Sequence, residues 1–145
     1  MSIFLQGIKI FVCFLCLFTL GFTSGSMTDD EIVKYIQKKL KRNDKLLRIN
    51  GKNLGDEGVG YLTKLPLLKT VSTLILYKGN FGDEGVRMLA ESENLGQLTT
   101  LSLENNKITD KGVAYIAKSK ILSNLKVLNL YRNQITDKGA SSIAD

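Results

Sequence analysis

One motif recurs along this chain at an exact step of 27 residues. It pairs a leucine with a second leucine or isoleucine two positions later, and it begins at Leu47, Leu74, Leu101 and Leu128. Four further positions of the unit recur at the same 27-residue step, and we call each set of equivalent residues a column. The columns are Asp56, Asp83, Asp110 and Asp137; Gly58, Gly85, Gly112 and Gly139; Val59, Val86, Val113 and Ala140; and Leu62, Leu89, Ile116 and Ile143. A unit this short cannot bury its own apolar side chains, so the units are predicted to stack against one another.

Each unit is predicted to run from a short strand through a polar turn into a helix. Residues 101–103 alternate apolar and polar side chains, which is typical of a strand with one buried face. The oxygens of Thr109 and Asp110 are expected to accept the unpaired N–H groups that open the helix of the same unit. Val113 and Ile116 then follow at helical spacing and form the buried stripe of that helix.

Residues 26–46 are predicted to form a degenerate half-repeat that caps the first full unit. Thr28 and Glu31 have the spacing of a capping box, and Met27 and Ile32 that of a hydrophobic staple. A polar outer face is expected from Lys34, Lys38, Lys39, Lys41 and Arg42. This basic run is interpreted as a solvated face, with a partner-binding or membrane-surface role as the alternative.

Residues 1–25 are predicted to be a signal peptide. An uncharged apolar run spans residues 10–22, with Lys9 before it and small residues at 23–26. Cleavage near Gly25 predicts a secreted or extracytoplasmic protein, and the alternative is an uncleaved segment that anchors it to a membrane. Cys13 and Cys16 both lie in this run, so the mature chain is predicted to have no disulfide and no thiolate site.

Residues 98–108 and 125–135 fit the pattern L-x-x-L-x-L-x-x-N-x-I/L in full, and at these positions the chain resembles the leucine-rich-repeat superfamily. The resemblance implies an α/β solenoid, a short horseshoe arc with parallel strands on the concave face and helices on the convex face. The long unit resembles the ribonuclease-inhibitor-like and F-box-adaptor-like subclasses. Four repeats are expected, at 47–73, 74–100, 101–127 and an incomplete 128–145.

The resemblance also implies a ladder of turn asparagines that satisfy backbone groups of adjacent units. Asn106 and Asn133 match this position, but Lys52 and Gly79 occupy it in the first two units. The first two turns are therefore expected to depart from the regular geometry.

Members of this superfamily bind proteins through the concave face, and the resemblance implies the same use here. Tyr77 and Tyr131 are the candidate anchors, because aromatic side chains contribute a large share of interface energy. Lys78, Arg132 and Glu104 would set the charge complementarity, and Ile75 is expected to be an exposed aliphatic side chain. The candidate protein-binding residues are Arg48, Asn50, Ile75, Tyr77, Lys78, Ser102, Glu104, Asn129, Tyr131 and Arg132. The alternative is that these side chains only favour a half-exposed strand.

The sequence does not predict an enzyme, a metal site or a cofactor. The chain contains no histidine, which is the commonest general base and zinc ligand. The aspartate and glycine columns are explained by helix capping and architecture, and nothing converges into a catalytic constellation. Nucleic-acid binding is not expected either. The net charge is +6, but the basic residues are scattered among acidic residues and do not concentrate on one face.

The fourth unit stops at residues 143–145, after its helix has begun. An open edge here is expected to contact a partner or a second copy of the chain, or else the chain is a truncated copy of a longer array. Two functions follow. The first is an exported protein that binds a protein target through its concave face, by analogy with bacterial effectors that bind host proteins. The second is a structural or assembly module that acts through the open edge and the basic N-terminal helix.

Overall fold

The computed structural model describes residues 28–144. The predictions for the leader, for Cys13 and Cys16, and for the staple residue Met27 concern residues outside this range. Among residues 28–144, no helix has the length and apolar character needed to cross a membrane.

The described chain alternates parallel strands with helices, as the repeat predicts. The strands are β1 (Leu46–Asn50), β2 (Thr73–Tyr77), β3 (Thr100–Ser102) and β4 (Val127–Asn129), and the helices are α1 (Asp29–Leu40), α2 (Gly55–Thr63), α3 (Asp83–Glu91), α4 (Asp110–Ala117) and α5 (Asp137–Ala144). Short 3-10 segments at Pro66–Thr70, Glu93–Leu95 and Ile121–Asn124 lead from α2, α3 and α4 to the next strand. The four strands form one parallel sheet in the order β1-β2-β3-β4.

The strand register follows the 27-residue step without a slip. Leu47 pairs with Leu74, Leu74 with Leu101, and Leu101 with Leu128. The first three of these leucines are fully buried. Burial of one leucine side chain stabilises a fold by about 1.5–3 kcal/mol, so each stacked column contributes substantially. The predicted α/β solenoid, with strands on one side and helices on the other, is confirmed.

Helix α1 closes the N-terminal end of the sheet. The predicted capping box is confirmed, since the backbone N–H of Thr28 donates to Glu31 Oε2 at 2.9 Å and the N–H of Glu31 donates to Thr28 Oγ1 at 3.4 Å. The Thr28 N–H and the Thr28 hydroxyl, which donates to Glu31 Oε2 at 3.0 Å, together hold the pKa of the Glu31 carboxyl below its usual range. Ile32 and Ile36 are buried, and the Tyr35 hydroxyl donates to the Arg48 carbonyl at 3.3 Å.

The aspartate column caps helices, but the prediction that each aspartate caps its own repeat is wrong. Asp83 Oδ1 accepts the backbone N–H groups of Thr109 at 2.8 Å and Gly112 at 3.0 Å, and Oδ2 accepts the Thr109 hydroxyl at 2.7 Å. These groups open α4, one repeat later. The reason is positional: Asp83 and Asp110 are the first residues inside their own helices, and the N-cap of α4 is Thr109, whose Oγ1 accepts the Lys111 N–H at 3.3 Å.

The recurring glycines leave room for these carboxylates. A Cβ atom added to Gly112 would lie 2.6 Å from Asp83 Oδ1 and 2.6 Å from Ile108 Cγ2. Asp56 makes the same arrangement with the unit that follows it, because its Oδ1 accepts the N–H of Gly85 at 2.8 Å and a Cβ there would lie 2.9 Å from it. Glycine is needed where the backbone of one repeat approaches the aspartate of the repeat before it.

The turn asparagines form the expected ladder in the last two units. Asn106 Oδ1 accepts the N–H of Gly79 at 2.8 Å, and Asn133 Oδ1 accepts the N–H of Asn106 at 3.2 Å. The expected departure in the first two turns is confirmed. There, Asn80 Nδ2 donates to Asn53 Oδ1 at 2.7 Å, and Asn80 adopts a φ of +59°, a left-handed conformation that the equivalent position in later turns lacks.

The last unit leaves apolar side chains exposed. Helix α5 packs against α4, but Val127 and Ile143 are 54% and 45% exposed. Leu128 and Leu130 are only partly buried, whereas their counterparts Leu101 and Leu103 are fully buried. Val127 in β4 and Ile143 in α5 are therefore two of the large apolar side chains that stay exposed within residues 28–144.

Candidate binding face

The side chains that alternate with the buried leucines form a first column across the sheet. The parallel register places Arg48 beside Ile75, Ile75 beside Ser102, and Ser102 beside Asn129. In a strand, neighbours in sequence point to opposite faces, so these four lie on the face opposite the leucine core. Arg48 is exposed, and the other three are half-buried, which means that Ile75 is less exposed than the sequence predicts.

A second column lies two residues further along. Asn50 and Tyr77 pair within β1 and β2. Glu104 and Tyr131 lie beyond the ends of β3 and β4, yet backbone hydrogen bonds continue the ladder to them. The N–H of Lys78 donates to the Glu104 carbonyl at 3.1 Å, and the N–H of Asn105 donates to the Tyr131 carbonyl at 2.9 Å. The candidate residues Asn50, Tyr77, Glu104 and Tyr131 therefore form one column that is continuous across the four units.

The two tyrosines of this column differ in exposure. Tyr131 is 65% exposed, and the Arg132 guanidinium carbon lies 5.4 Å from the centre of its ring. Tyr77 is half-buried, and its hydroxyl accepts a long hydrogen bond of 3.5 Å from Asn105 Nδ2. The contact between Asn105 and Tyr77 was not predicted, because it depends on a turn conformation that neither side chain indicates.

The residues that follow the second column turn the chain. Gly51, Lys78, Asn105 and Arg132 occupy one position in the four units, and all four have a left-handed backbone, with φ values of +61°, +53°, +59° and +56°. Lys78 and Arg132 are thus not on the flat strand face but at its rim, on exposed turns. A left-handed backbone is unfavourable for a lysine or an arginine, and such strain is more common at functional sites.

The candidate residues give the face a mixed charge with a positive excess. Three of them are basic, namely Arg48, Lys78 and Arg132, and Glu104 is the one acidic member. Its Oε2 accepts a hydrogen bond from Asn129 Nδ2 at 3.3 Å, which fixes the carboxylate between the two tyrosine positions. The arrangement offers aromatic rings, amide groups and charges, which suit recognition of a polypeptide surface.

No cluster of histidine, cysteine, aspartate and glutamate with the geometry of a metal site occurs within residues 28–144. The side chains of Asp56, Asp83 and Asp110 are engaged by backbone N–H groups of the next repeat. The position of these three carboxylates therefore follows from the architecture.

A second surface feature was not predicted. Helix α1 and the 3-10 segment Pro66–Thr70 border a cleft of about 580 Å³, lined by Lys34, Gln37, Lys38, Leu40, Lys41 and Leu67. The sequence marks the lysines as one helix face, but the contribution of Leu67 depends on how the first repeat folds back under α1.

Comparison with known proteins finds a family match in the last two units. Residues 98–117 and 122–144 match the family model described as Leucine Rich repeat. No curated protein sequence has significant similarity to the chain.

Proposed function

Because the chain carries leucine-rich repeats and folds as a leucine-rich-repeat solenoid, we propose that it binds a protein partner through its concave strand face. Leucine-rich repeats in general mediate protein–protein interactions, and they are typically not enzymes. The chain is accordingly proposed to be a binding protein without catalytic activity.

The observation that supports this proposal most directly is the second column of the face. Tyr77 and Tyr131 occupy the same position two repeats apart, which separates them by about 10 Å at the usual spacing of parallel strands. Glu104 lies between them and is held by Asn129. The two aromatic rings provide apolar area, the fixed carboxylate between them provides one oriented hydrogen-bond acceptor, and tyrosine is enriched among the residues that contribute most to protein interfaces.

The positive charges on the face and at its rim indicate what kind of partner surface would fit. Arg48, Lys78 and Arg132 are all exposed, and their positive charge would favour a partner that presents acidic side chains around an apolar centre. Arg132 also stacks on Tyr131, so the ring is partly held in place before a partner arrives. An anchor that is already ordered loses less conformational entropy on binding.

Two finer proposals rest on the sequence. The apolar run at residues 10–22 supports export of the chain, with membrane anchorage through residues 1–25 as the alternative. The 27-residue unit, with a helix in every repeat, supports assignment of the chain to the ribonuclease-inhibitor-like or F-box-adaptor-like subclasses of leucine-rich repeats.

The test is a capture experiment with the full chain and a double variant, Tyr77→Ala/Tyr131→Ala. Extracts from the source cells and their surroundings are passed over each immobilised protein, and bound proteins are identified by mass spectrometry. A partner retained by the native chain and lost from the double variant supports the concave face as the binding site.

The matched control is Tyr115→Ala, which removes a partly buried tyrosine from α4 on the helical side. Circular dichroism is used to check that all three proteins are folded. Equal capture by the native chain and the double variant would contradict the proposal. Loss of capture by Tyr115→Ala to the same degree as by the double variant would also contradict the proposal.

A second candidate function is self-association through the outer side of β4. Its support is that β4 is an edge strand of the described sheet and that two apolar side chains of the same unit, Val127 in β4 and Ile143 in α5, are exposed. Sedimentation velocity over a range of concentrations tests it with Val127→Lys as the variant. A concentration-dependent dimer that the variant abolishes would support assembly, and a monomer at all concentrations would contradict it.

A further inference from the structure

The cleft between α1 and residues 66–70 combines an apolar floor with a basic rim. Leu40 and Leu67 are half-buried and line it together with Lys34, Lys38 and Lys41, all three of which are exposed. Lys34 and Lys38 lie in α1 and Lys41 is its C-cap, and because they follow one another at steps of four and three residues they lie on one stripe of the helix and its end. None of the six lining residues is acidic.

Two neighbouring charged side chains, Glu31 and Lys39, make contacts outside the cleft, although the Lys34 charge also acts on Glu31. The Glu31 carboxylate accepts hydrogen bonds from the Thr28 N–H at 2.9 Å and from the Thr28 hydroxyl at 3.0 Å. Lys39 lies over the ring of Tyr35, at 5.2 Å from its centre, and so belongs to a different side of α1. Within residues 28–144, Lys34, Lys38 and Lys41 form no ion pair.

We propose that this basic cleft binds an acidic, amphipathic segment of a partner protein. Glutamate or aspartate side chains of the segment would lie against the three lysines, and an apolar side chain between them would contact Leu40 and Leu67. The argument rests on charge complementarity together with shape. A flat lipid surface reaches the lysines but not leucines on the floor of a cleft, whereas a polypeptide has side chains that project into it.

This site shares no residue with the concave face. The two surfaces can therefore be disrupted separately, and failure of one proposal leaves the other standing. A protein with both would hold two segments of one partner, or two partners, at the same time.

The experiment uses the full chain and three fluorescent peptides of twelve residues. The first alternates glutamate and leucine, the second has glutamine in place of glutamate, and the third has serine in place of leucine. Fluorescence anisotropy measures the dissociation constant of each. The first peptide is expected to bind, with both of the other peptides weaker by about tenfold or more.

The variant is Lys34→Glu/Lys38→Glu/Lys41→Glu, and its control is Lys107→Glu/Lys111→Glu/Lys120→Glu, which makes the same change of net charge on exposed positions of the third repeat. The first variant is expected to weaken binding of the glutamate–leucine peptide by about tenfold or more, and the control by much less. Equal losses in the two variants would show attraction to net charge alone and would overturn the proposal.

The serine peptide and lipid vesicles complete the test without altering the fold. If the serine peptide binds as tightly as the leucine peptide, the apolar floor is not used and the proposal fails. Vesicles of phosphatidylglycerol are compared with vesicles of phosphatidylcholine by co-sedimentation. Binding to the anionic vesicles that depends on the three lysines, with no peptide binding, would assign the cleft to a membrane instead and overturn the proposal.

Discussion

The Asp83 carboxylate accepts the backbone N–H of Gly112 at 3.0 Å and leaves no space there for a side chain. The contact joins the first turn of α3 to the first turn of α4. The first turns of α3, α4 and α5 are thus each bound by an aspartate of the previous repeat, in step with the strand pairing, which follows the same 27-residue period.

Gly112→Ala is expected to destabilise the fold by about 1–3 kcal/mol, because the added methyl group overlaps Asp83 Oδ1 and Ile108 Cγ2. Urea denaturation measures the free energy of unfolding. The control is Gly96→Ala: Gly96 has an ordinary φ of −63° and open space around it, so this change should be neutral or stabilising by about 0.4–1 kcal/mol. Equal destabilisation by both would contradict the role of the aspartate contact.

Asn106→Ala is expected to cost about 2–3 kcal/mol, because the side chain of Asn106 is buried and satisfies the Gly79 N–H and the carbonyls of Leu76 and Leu103. Those groups would lose their partner in a place that water does not easily reach. Asn53→Ala removes a single exposed bond and should change stability by no more than about 0.5 kcal/mol. Thermal unfolding compares the two variants. Similar melting temperatures for Asn106→Ala and Asn53→Ala would contradict the stabilising role of the asparagine ladder.

The contact between Asp110 and Thr136 predicts a dependence of stability on acid. Hydrogen bonds from the Thr136 hydroxyl and N–H hold the pKa of Asp110 below its usual value in the folded chain. A group with a lowered folded pKa stabilises the fold above its unfolded pKa, and this contribution is lost as the pH falls through the folded pKa. Stability should thus fall from about pH 4 downwards. Denaturation curves of native chain and Asp110→Asn should converge at low pH, and parallel curves would refute the assignment.

Lys78→Asn is expected to raise stability by about 0.5–1 kcal/mol, because asparagine tolerates the left-handed backbone that Lys78 adopts at φ +53°. The third repeat already has asparagine, Asn105, at this position. If Lys78 contacts an acidic partner, the same substitution should weaken binding. Lys107→Asn makes an equal change of charge at an exposed site and should not stabilise the chain. A fall in stability on Lys78→Asn would show that the lysine is not strained.

The 27-residue period was enough to predict the sheet, its register and the columns of the candidate face. Arg48 and Asn129 lie in one row because a register that slipped by one residue would expose the leucines. The helix starts were also predictable, since an aspartate followed by a glycine recurs in every unit.

The direction of the aspartate contacts was not predictable from one unit. Capping rules consider neighbours along the chain, and the groups that Asp83 binds are 26 and 29 residues away. The turn conformation of Lys78 and Arg132 gave no signal either, because neither residue type prefers a left-handed backbone. The geometry of the sheet end imposes that conformation, and it moves these two side chains from the face to its rim.

The aspartate–glycine contact also has a consequence for how such a chain can change its length in evolution. Asp56, Asp83 and Asp110 bind equivalent backbone groups of the unit that follows, so junctions between units are nearly interchangeable. Gain or loss of one whole unit would leave every remaining junction with its bonds. An inserted unit one residue longer or shorter than the 27-residue period would place a side chain where glycine is needed. Selection should therefore keep the length of each unit at 27 residues.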